Sequence, residues 1–249
     1  MHLAAERCTM PRSYPSAQPP TPGSTHATMT NVHPESRKEF QLERLILFTD
    51  AVFAIAITLL IIEIKVPELK GDEATEGALI SYLGHLVPRF AGFLISFLLI
   101  GMYWTRHHFL FGFVTDYTPK LIALNMLFLL SIVLMPFSTG LFGEYSTPAT
   151  VDLKTPLVFY VANVCVTGFF LYFLWAYIGN PKNGVASPAL TPGIVHDAKQ
   201  RALVVSLVFL LTIGMAMINT YASRYFPILT PVFLRVAKRL FPGKVSEPG

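Results

Sequence analysis

Long apolar runs separated by short polar segments make up most of the chain after about residue 40. A helix that crosses a bilayer needs roughly 20 mostly apolar residues. Six runs approach this length, although the last is short and becomes charged at Arg235. The pattern therefore predicts an all-α, polytopic membrane protein with six spans. The predicted spans lie at about 44–66, 83–104, 120–142, 155–178, 200–222 and 225–241.

The overall composition agrees with a membrane protein. Hydrophobic residues make up 53% of the chain and charged residues only 14%, whereas soluble domains carry about 25% charged residues. The sequence has no GxSxG, P-loop, HExxH or CxxC motif. We therefore expect a protein that is not an enzyme and that uses no cofactor.

The two ends of the chain differ from its middle. Residues 1–40 are rich in Pro, Ser, Thr and His and lack the apolar segment of a signal peptide. This composition predicts a disordered cytoplasmic N-terminal tail over 1–40, with Met29 as a candidate translation start. The six-helix membrane domain then covers 41–241, and a C-terminal tail covers 242–249.

Basic residues indicate how the chain is oriented. With six spans both ends lie on one side of the membrane, and most of the Lys and Arg residues fall on that side. Short loops rich in Lys and Arg are typically cytoplasmic, so we expect a multi-pass protein of the cell membrane with both termini in the cytoplasm. The net charge of +4 is explained by this topology, and we expect no nucleic-acid partner.

The first predicted helix, RLILFTDAVFAIAITLLIIEIKVP over residues 44–67, contains Asp50 inside an apolar run. A carboxylate at the centre of a bilayer costs at least about 3 kcal/mol, so Asp50 must face protein or water. At about 100° per residue, Asp50 points about 140° away from Ile55. A single stripe opposite to Asp50 consists of Arg44, Phe48, Ala51, Ile55, Leu59 and Ile62, with Thr58 close to it.

Further polar residues lie between the second and third predicted spans. His107, His108 and Asp116 are predicted on the same side as Arg44 and Asp50, and the five could form one network that fixes the first helix to its neighbours. Adjacent histidines point about 100° apart, which is poor geometry for a metal site, and a third ligand is missing. We therefore expect no bound metal.

Four other residues have simpler structural interpretations. Asn125 in the third span can form a hydrogen bond between helices, and Pro136 is expected to kink that span. Trp104 and Trp175 lie near predicted span ends, where Trp side chains commonly anchor a helix at the membrane interface.

A family resemblance rests on three segments. Arg44, Phe48, Thr49 and Asp50 form RxxxFTD, which resembles the RxxxFSD signature of the transmembrane protein 175 family of potassium channels. The segments YWTRHHFLF in the second span and LNMLFLLSIVLMPFST in the third are also similar to that family. The resemblance covers about residues 40–222.

The resemblance implies a pore that the first helix lines. Prokaryotic members carry one six-helix unit and assemble as homotetramers, and their first helices surround a central pore. In place of a carbonyl selectivity filter they use apolar constrictions and a hydroxyl layer. By position relative to the motif, the constriction residues would be Ile55, Leu59 and Ile62, and Thr58 would provide the hydroxyl layer for ion selectivity.

The resemblance also implies a role for the motif and an activity. Arg44 and Asp50 would belong to a polar network with His107 or His108 that positions the first helix. The expected function is a potassium-selective, leak-type channel whose partners are potassium ions and the lipid bilayer.

Two other functions fit the same sequence. Asp50 with His107 and His108 could relay protons in a proton-conducting channel or a proton-coupled transporter, but transporters often show internal repeats or broken helices, and neither is evident. A structural membrane protein without transport is the second alternative. Ion flux into liposomes under a potassium or a proton gradient would separate these functions.

Overall fold

The computed structural model describes residues 34–69, 71, 74–147, 149–220, 223 and 230–240. Within these ranges the regular elements are helices, together with one isolated β-bridge between Val114 and Ala186. The predicted all-α fold is therefore confirmed. The helices are α1 Pro34–Ile62, α2 Glu76–Phe111, α3 Pro119–Val133, α4 Met135–Glu144, α5 Lys154–Ile178, a 3-10 turn Pro181–Asn183, α6 Pro192–Ile218 and α7 Thr230–Leu240.

In the described part of the chain, five helical stretches are long and apolar enough to cross a membrane, with α3 and α4 together forming one of them. They correspond to the first five predicted spans. In the region of the sixth, the described helix α7 has 11 residues, which at 1.5 Å per residue covers about half of a bilayer core. Residues 224–229 and 241 lie outside the described residues, so a sixth span stays a prediction.

The helix α1 begins earlier than the sequence predicted. Residues 34–40, which the composition predicts to be part of the disordered tail, are helical in the structure. Proline is favourable in the first turn of a helix because its missing N–H has no partner there, and Lys38 in the second turn contacts Asp116. The rest of the predicted N-terminal tail, Met29 included, and the C-terminal tail lie outside the described residues.

Capping residues and prolines fix the ends of α2, α3 and α4. The hydroxyls of Thr75 and Thr118 accept hydrogen bonds from the backbone N–H three residues later, which starts α2 and α3. The third span breaks at Leu134, two residues before Pro136, because proline cannot continue the hydrogen-bond ladder of a helix. The predicted distortion at Pro136 is thus observed as a break between α3 and α4.

The core lies around α5, which packs against α3, α4 and α6, while α1 contacts α2, α3 and α4. Buried hydroxyls connect α2, α4 and α5: Thr139 lies 2.7 Å from Ser96, whose hydroxyl lies 3.1 Å from that of Tyr160. At the far end of α1, a Cβ on Gly140 would lie 2.5 Å from the Glu63 carboxylate. The Glu63 side chain, directly after α1, therefore lies against α4 at this end of the bundle.

Candidate functional site

One face of α1 is buried against the rest of the bundle. Thr49, Phe53, Ala56 and Leu60 recur at spacings of four and three residues and are at most 2% exposed. Residues with this spacing lie on one side of a helix. This side of α1 therefore determines how the helix is rotated relative to α2, α3 and α4.

The opposite face of α1 carries the apolar residues that were predicted to form a constriction. Ile55 is 58% exposed, Leu59 39% and Ile62 68%. Phe48 of the motif lies on the same side and is also exposed. The structure thus places these side chains together on a free surface of the subunit, and their role in a pore stays a prediction.

Thr58 lies on the exposed side, close to Ile55. Its hydroxyl donates a hydrogen bond to the backbone carbonyl of Ile55 at 2.8 Å. The single hydroxyl proton is used in this bond, so the oxygen keeps its lone pairs as acceptors. An exposed oxygen acceptor is the type of group that can coordinate a cation.

Thr49 begins a buried hydrogen-bond chain that joins three helices. Its hydroxyl donates to the carbonyl of Leu45 at 2.9 Å and accepts from the side-chain amide of Asn125 on α3 at 2.9 Å. The Asn125 carbonyl oxygen lies 2.8 Å from Nε2 of His107 on α2. Because that oxygen can only accept, Nε2 carries the proton.

The ring of His107 is enclosed by aromatic side chains. It stacks on Phe111 with centroids 4.1 Å apart and on Phe128 with centroids 5.3 Å apart. The imidazole is fully buried, with 2% exposure, so its hydrogen bond to Asn125 satisfies a polar atom that has no access to solvent. The geometry makes His107, and not His108, the histidine that reaches the motif.

Asp50 has a different partner from the one that the sequence suggested. The indole N–H of Trp104 on α2 donates to its carboxylate at 2.8 Å, so the prediction of Arg44 or a histidine as the direct partner was wrong. Arg44 lies six residues earlier, about 9 Å along the helix axis. His107 is engaged with Asn125, and His108 contributes only by stacking on Trp104, with centroids 5.3 Å apart.

Arg44 and Asp116 take part neither in the hydrogen-bond chain of Thr49 nor in the contact between Asp50 and Trp104. The exposed guanidinium of Arg44 sits 5.9 Å from the centre of the Phe40 ring. Asp116, in the loop after α2, pairs with Lys38 of α1 at 2.7 Å and accepts from the Tyr117 N–H. The Lys38 hydrogen bond lowers the pKa of Asp116 below its ordinary value.

The predicted single network is therefore three separate attachments of α1. Lys38 binds Asp116, Thr49 binds Asn125 and through it His107, and Asp50 binds Trp104. The sequence named both ends of the middle attachment and predicted that Asn125 forms a hydrogen bond between helices, but it did not name the partners of Asn125. The sequence signal for Asn125 was an amide side chain inside an apolar run.

Two tryptophans were expected at the membrane interface. Trp104 is partly exposed but is used to hold Asp50, and Trp175 is 2% exposed inside the bundle, so the interface role predicted for Trp175 was wrong. In the part of the chain that the structure describes, no cluster of three or more His, Cys, Asp or Glu side chains could hold a metal ion.

Comparisons with known proteins match the region that contains the attachments at Thr49 and Asp50. The family model described as endosomal/lysosomal potassium channel TMEM175 matches residues 44–136. A potassium channel from Streptomyces collinus is 32% identical over 172 residues, which cover 69% of this chain and 81% of that protein. An endosomal/lysosomal proton channel TMEM175 from Gallus gallus is 33% identical over 132 residues, covering 51% of this chain and 25% of that protein.

Solved structures give the same result. The crystal structure of a lysosomal potassium-selective channel TMEM175 homologue from Chamaesiphon minutus superposes with a TM-score of 0.64 at 26% sequence identity. The match covers 80% of this chain and 98% of that one. Sequence and structure agree, and the chain belongs to the TMEM175 family of ion channels.

Proposed function

We propose that the chain is one subunit of a homotetrameric, potassium-selective channel, with α1 of each subunit lining a central pore. Family membership and the potassium channel of Streptomyces collinus support the activity. The observation that carries the pore assignment is the exposed apolar face of α1, formed by Ile55, Leu59 and Ile62. This face lies opposite to the buried residues that hold the helix.

Four copies of this face would narrow the pore with apolar rings. Such rings restrict hydrated ions and can close a pore by excluding water. Thr58 would add a layer of hydroxyl oxygens about one turn from Ile55. Since the Thr58 proton is already used, these oxygens would face a potassium ion as acceptors. We infer a leak-type channel in which an ion loses part of its water at the rings and regains oxygen contacts at Thr58.

The orientation that we propose places both termini in the cytoplasm of the cell that carries this channel in its membrane. The distribution of Lys and Arg supports it. The three attachments of α1 then lie in its cytoplasmic half, and Ile55, Leu59 and Ile62 follow towards the outside. The attachments would set the rotation of α1, and that rotation would aim the apolar side chains at the pore axis.

The pore assignment is tested by changing Ile55 in reconstituted channels. We expect Ile55→Asn to raise conductance and reduce potassium selectivity, because a polar ring no longer excludes water. In a background without Cys8 and Cys165, Ile55→Cys should be blocked by a permeant thiol reagent. Leu207→Cys on α6 is the matched control, since Leu207 is similarly exposed and lies on a different helix.

The assignment fails if Ile55→Asn leaves currents unchanged and if the thiol at position 55 does not react. Reaction of Leu207→Cys at the same rate would show that exposure in the subunit, and not a position in the pore, governs reactivity. Either result would require a different surface for conduction.

A proton channel is the second candidate, because the Gallus gallus relative is described as a proton channel. A relay through Asp50 and His107 receives little support from the geometry, because the two side chains bind different partners, Trp104 and Asn125. Liposomes with a potassium gradient or a proton gradient separate the two functions. Potassium flux with little proton flux is expected, and the reverse would favour the proton channel.

A further inference from the structure

Two adjoining cavities open at the end of the bundle that carries the α2–α3 loop. The larger, about 570 Å³, lies between α2, α5 and α6. The smaller, about 210 Å³, lies between α2, α6 and α7. Both are lined by Arg106, Asp197 and Arg201, so they form one continuous basic cavity.

Three helices each contribute an arginine to this cavity. They are Arg106 of α2, which is half-buried, Arg201 of α6 and Arg235 of α7. Among the residues that the structure describes, no carboxylate forms an ion pair with any of the three. Asp197, the acidic residue in the lining, instead lies 3.9 Å from His196. Three arginines against one carboxylate leave an excess of positive charge in the lining, which is unfavourable where water is partly excluded.

The rest of the lining is largely apolar. Met102, Phe109, Trp175 and Ile194 line the larger cavity, and Leu234 lines the smaller one. A site for a free inorganic anion would be surrounded by polar donors. Guanidinium groups next to an apolar wall fit an amphiphile that has an anionic head and a hydrocarbon tail.

The depth of the cavity also suits a lipid. Arg106 lies five residues before the end of α2 at Phe111, about 7.5 Å along the helix, which is close to headgroup level. Basic pockets between spans on the cytoplasmic side are a known type of site for anionic headgroups. Arginine is well suited to phosphate because its planar fork donates two hydrogen bonds at once.

We propose that this cavity binds an anionic phospholipid, with its phosphate among Arg106, Arg201 and Arg235 and an acyl chain along the apolar wall. The bound phosphate offsets the positive charge that Asp197 alone leaves uncompensated among the three arginines. The lipid would join α2 and α6 to α7. This binding site is independent of the pore proposal, because its occupancy is measured without ion flux.

The test is lipid binding to the purified full-length protein in detergent, followed by native mass spectrometry. Dioleoyl phosphatidylglycerol is titrated against dioleoyl phosphatidylcholine as a neutral lipid with the same chains. We expect tighter binding of the anionic lipid, and a loss of about fivefold in affinity for each of Arg201→Gln and Arg235→Gln. Arg239→Gln is the matched control, because Arg239 is exposed on the same helix as Arg235 and lines neither cavity.

Both test arginines have exposed side chains, so their replacement should leave folding intact, which a thermal unfolding curve checks. Equal binding of the two lipids would overturn the proposal, as would an equal loss of affinity in Arg239→Gln. Inorganic phosphate is added as a competitor in a separate experiment. If it displaces the anionic lipid at equal concentration, the cavity is a simple anion site and the lipid assignment is wrong.

Discussion

The two faces of α1 are both almost entirely apolar, yet one is buried in the bundle and the other is exposed. The buried face contains Phe53 and Leu60 packed inside the bundle, and the opposite face contains Ile55 and Ile62 exposed on the subunit surface. In water such a helix would bury its whole surface, but in lipid apolar side chains are accepted on every side. Polarity therefore does not tell the two faces apart, whereas hydrogen bonds and close contacts to other helices do.

The largest expected difference between the faces is in how much their side-chain packing stabilises the fold. Truncating one phenylalanine on each face to alanine tests this difference. The Phe53 ring lies 6.0 Å from His107 and 5.9 Å from Phe128, so Phe53→Ala would leave a cavity in the core. We expect it to lower the free energy of unfolding in micelles by about 3–5 kcal/mol. Phe48→Ala, five residues earlier on the exposed face, should lower it much less.

The same two variants also show whether the exposed face is structural. If Phe48→Ala destabilises the protein as strongly as Phe53→Ala, the exposed face is packed against another subunit over its full area. The two faces would then both be structural. Cross-linking at several protein concentrations would show whether the loss follows dissociation of an oligomer.

A smaller effect is expected from the hydrogen bonds of the buried face. Thr49→Val removes the acceptor of the Asn125 amide and should cost about 1 kcal/mol, typical of an interhelical bond in a membrane. Thr49→Ser keeps the hydroxyl and should restore wild-type stability. Thr105→Val on α2 is the control, because the exposed Thr105 bonds only to its own helix, at Gly101.

Equal unfolding curves for Thr49→Val and Thr105→Val would contradict this prediction. The buried hydroxyl would then be no more important than an exposed one. The middle attachment of α1 would in that case depend on ring packing around His107 and not on hydrogen bonds.

The attachment at Asp50 should contribute still less to stability, since Trp104 is partly exposed, but it should affect the rotation of α1. We expect Trp104→Phe to lower stability by less than about 1 kcal/mol and to change conductance in liposomes. Asp50→Asn keeps an acceptor oxygen and should behave like the wild type. Asp50→Leu should match Trp104→Phe, and the double variant should add nothing further; additive losses would show that the two side chains act separately.

The sequence predicts the faces of α1 because helical periodicity is a local property. It placed Asp50 away from Ile55, and the structure agrees. It did not identify Trp104 or Asn125 as partners, because each lies more than 50 residues away and a single sequence carries no information on which distant side chains meet. The early start of α1 was missed for the same reason, since Lys38 gains its contact only when the loop at Asp116 folds against it.

The weakest attachment of α1, between Lys38 and Asp116, depends on pH. Both side chains are substantially exposed, at 58% and 35%, and exposed ion pairs contribute little to stability. The Lys38 hydrogen bond, followed by that of the Tyr117 N–H, lowers the pKa of Asp116 below its ordinary 3.8. A lowered carboxylate pKa stabilises the folded state above the unfolded pKa, and this stabilisation is lost as the pH falls through the folded pKa.

Hydrogen exchange of the backbone amides in the first turns of α1 measures the loss of the Lys38–Asp116 attachment at low pH. After correction for intrinsic rates, exchange around Lys38 should be slow at neutral pH and should accelerate only below the usual carboxylate range. Asp116→Asn should exchange fast at every pH, and Asp152→Asn, at an exposed carboxylate elsewhere, should follow the wild type. Because the buried contacts at Thr49 lie three turns further on, protection there should not change with pH. If it falls together with that of Lys38, the attachments of α1 are one cooperative unit and not three.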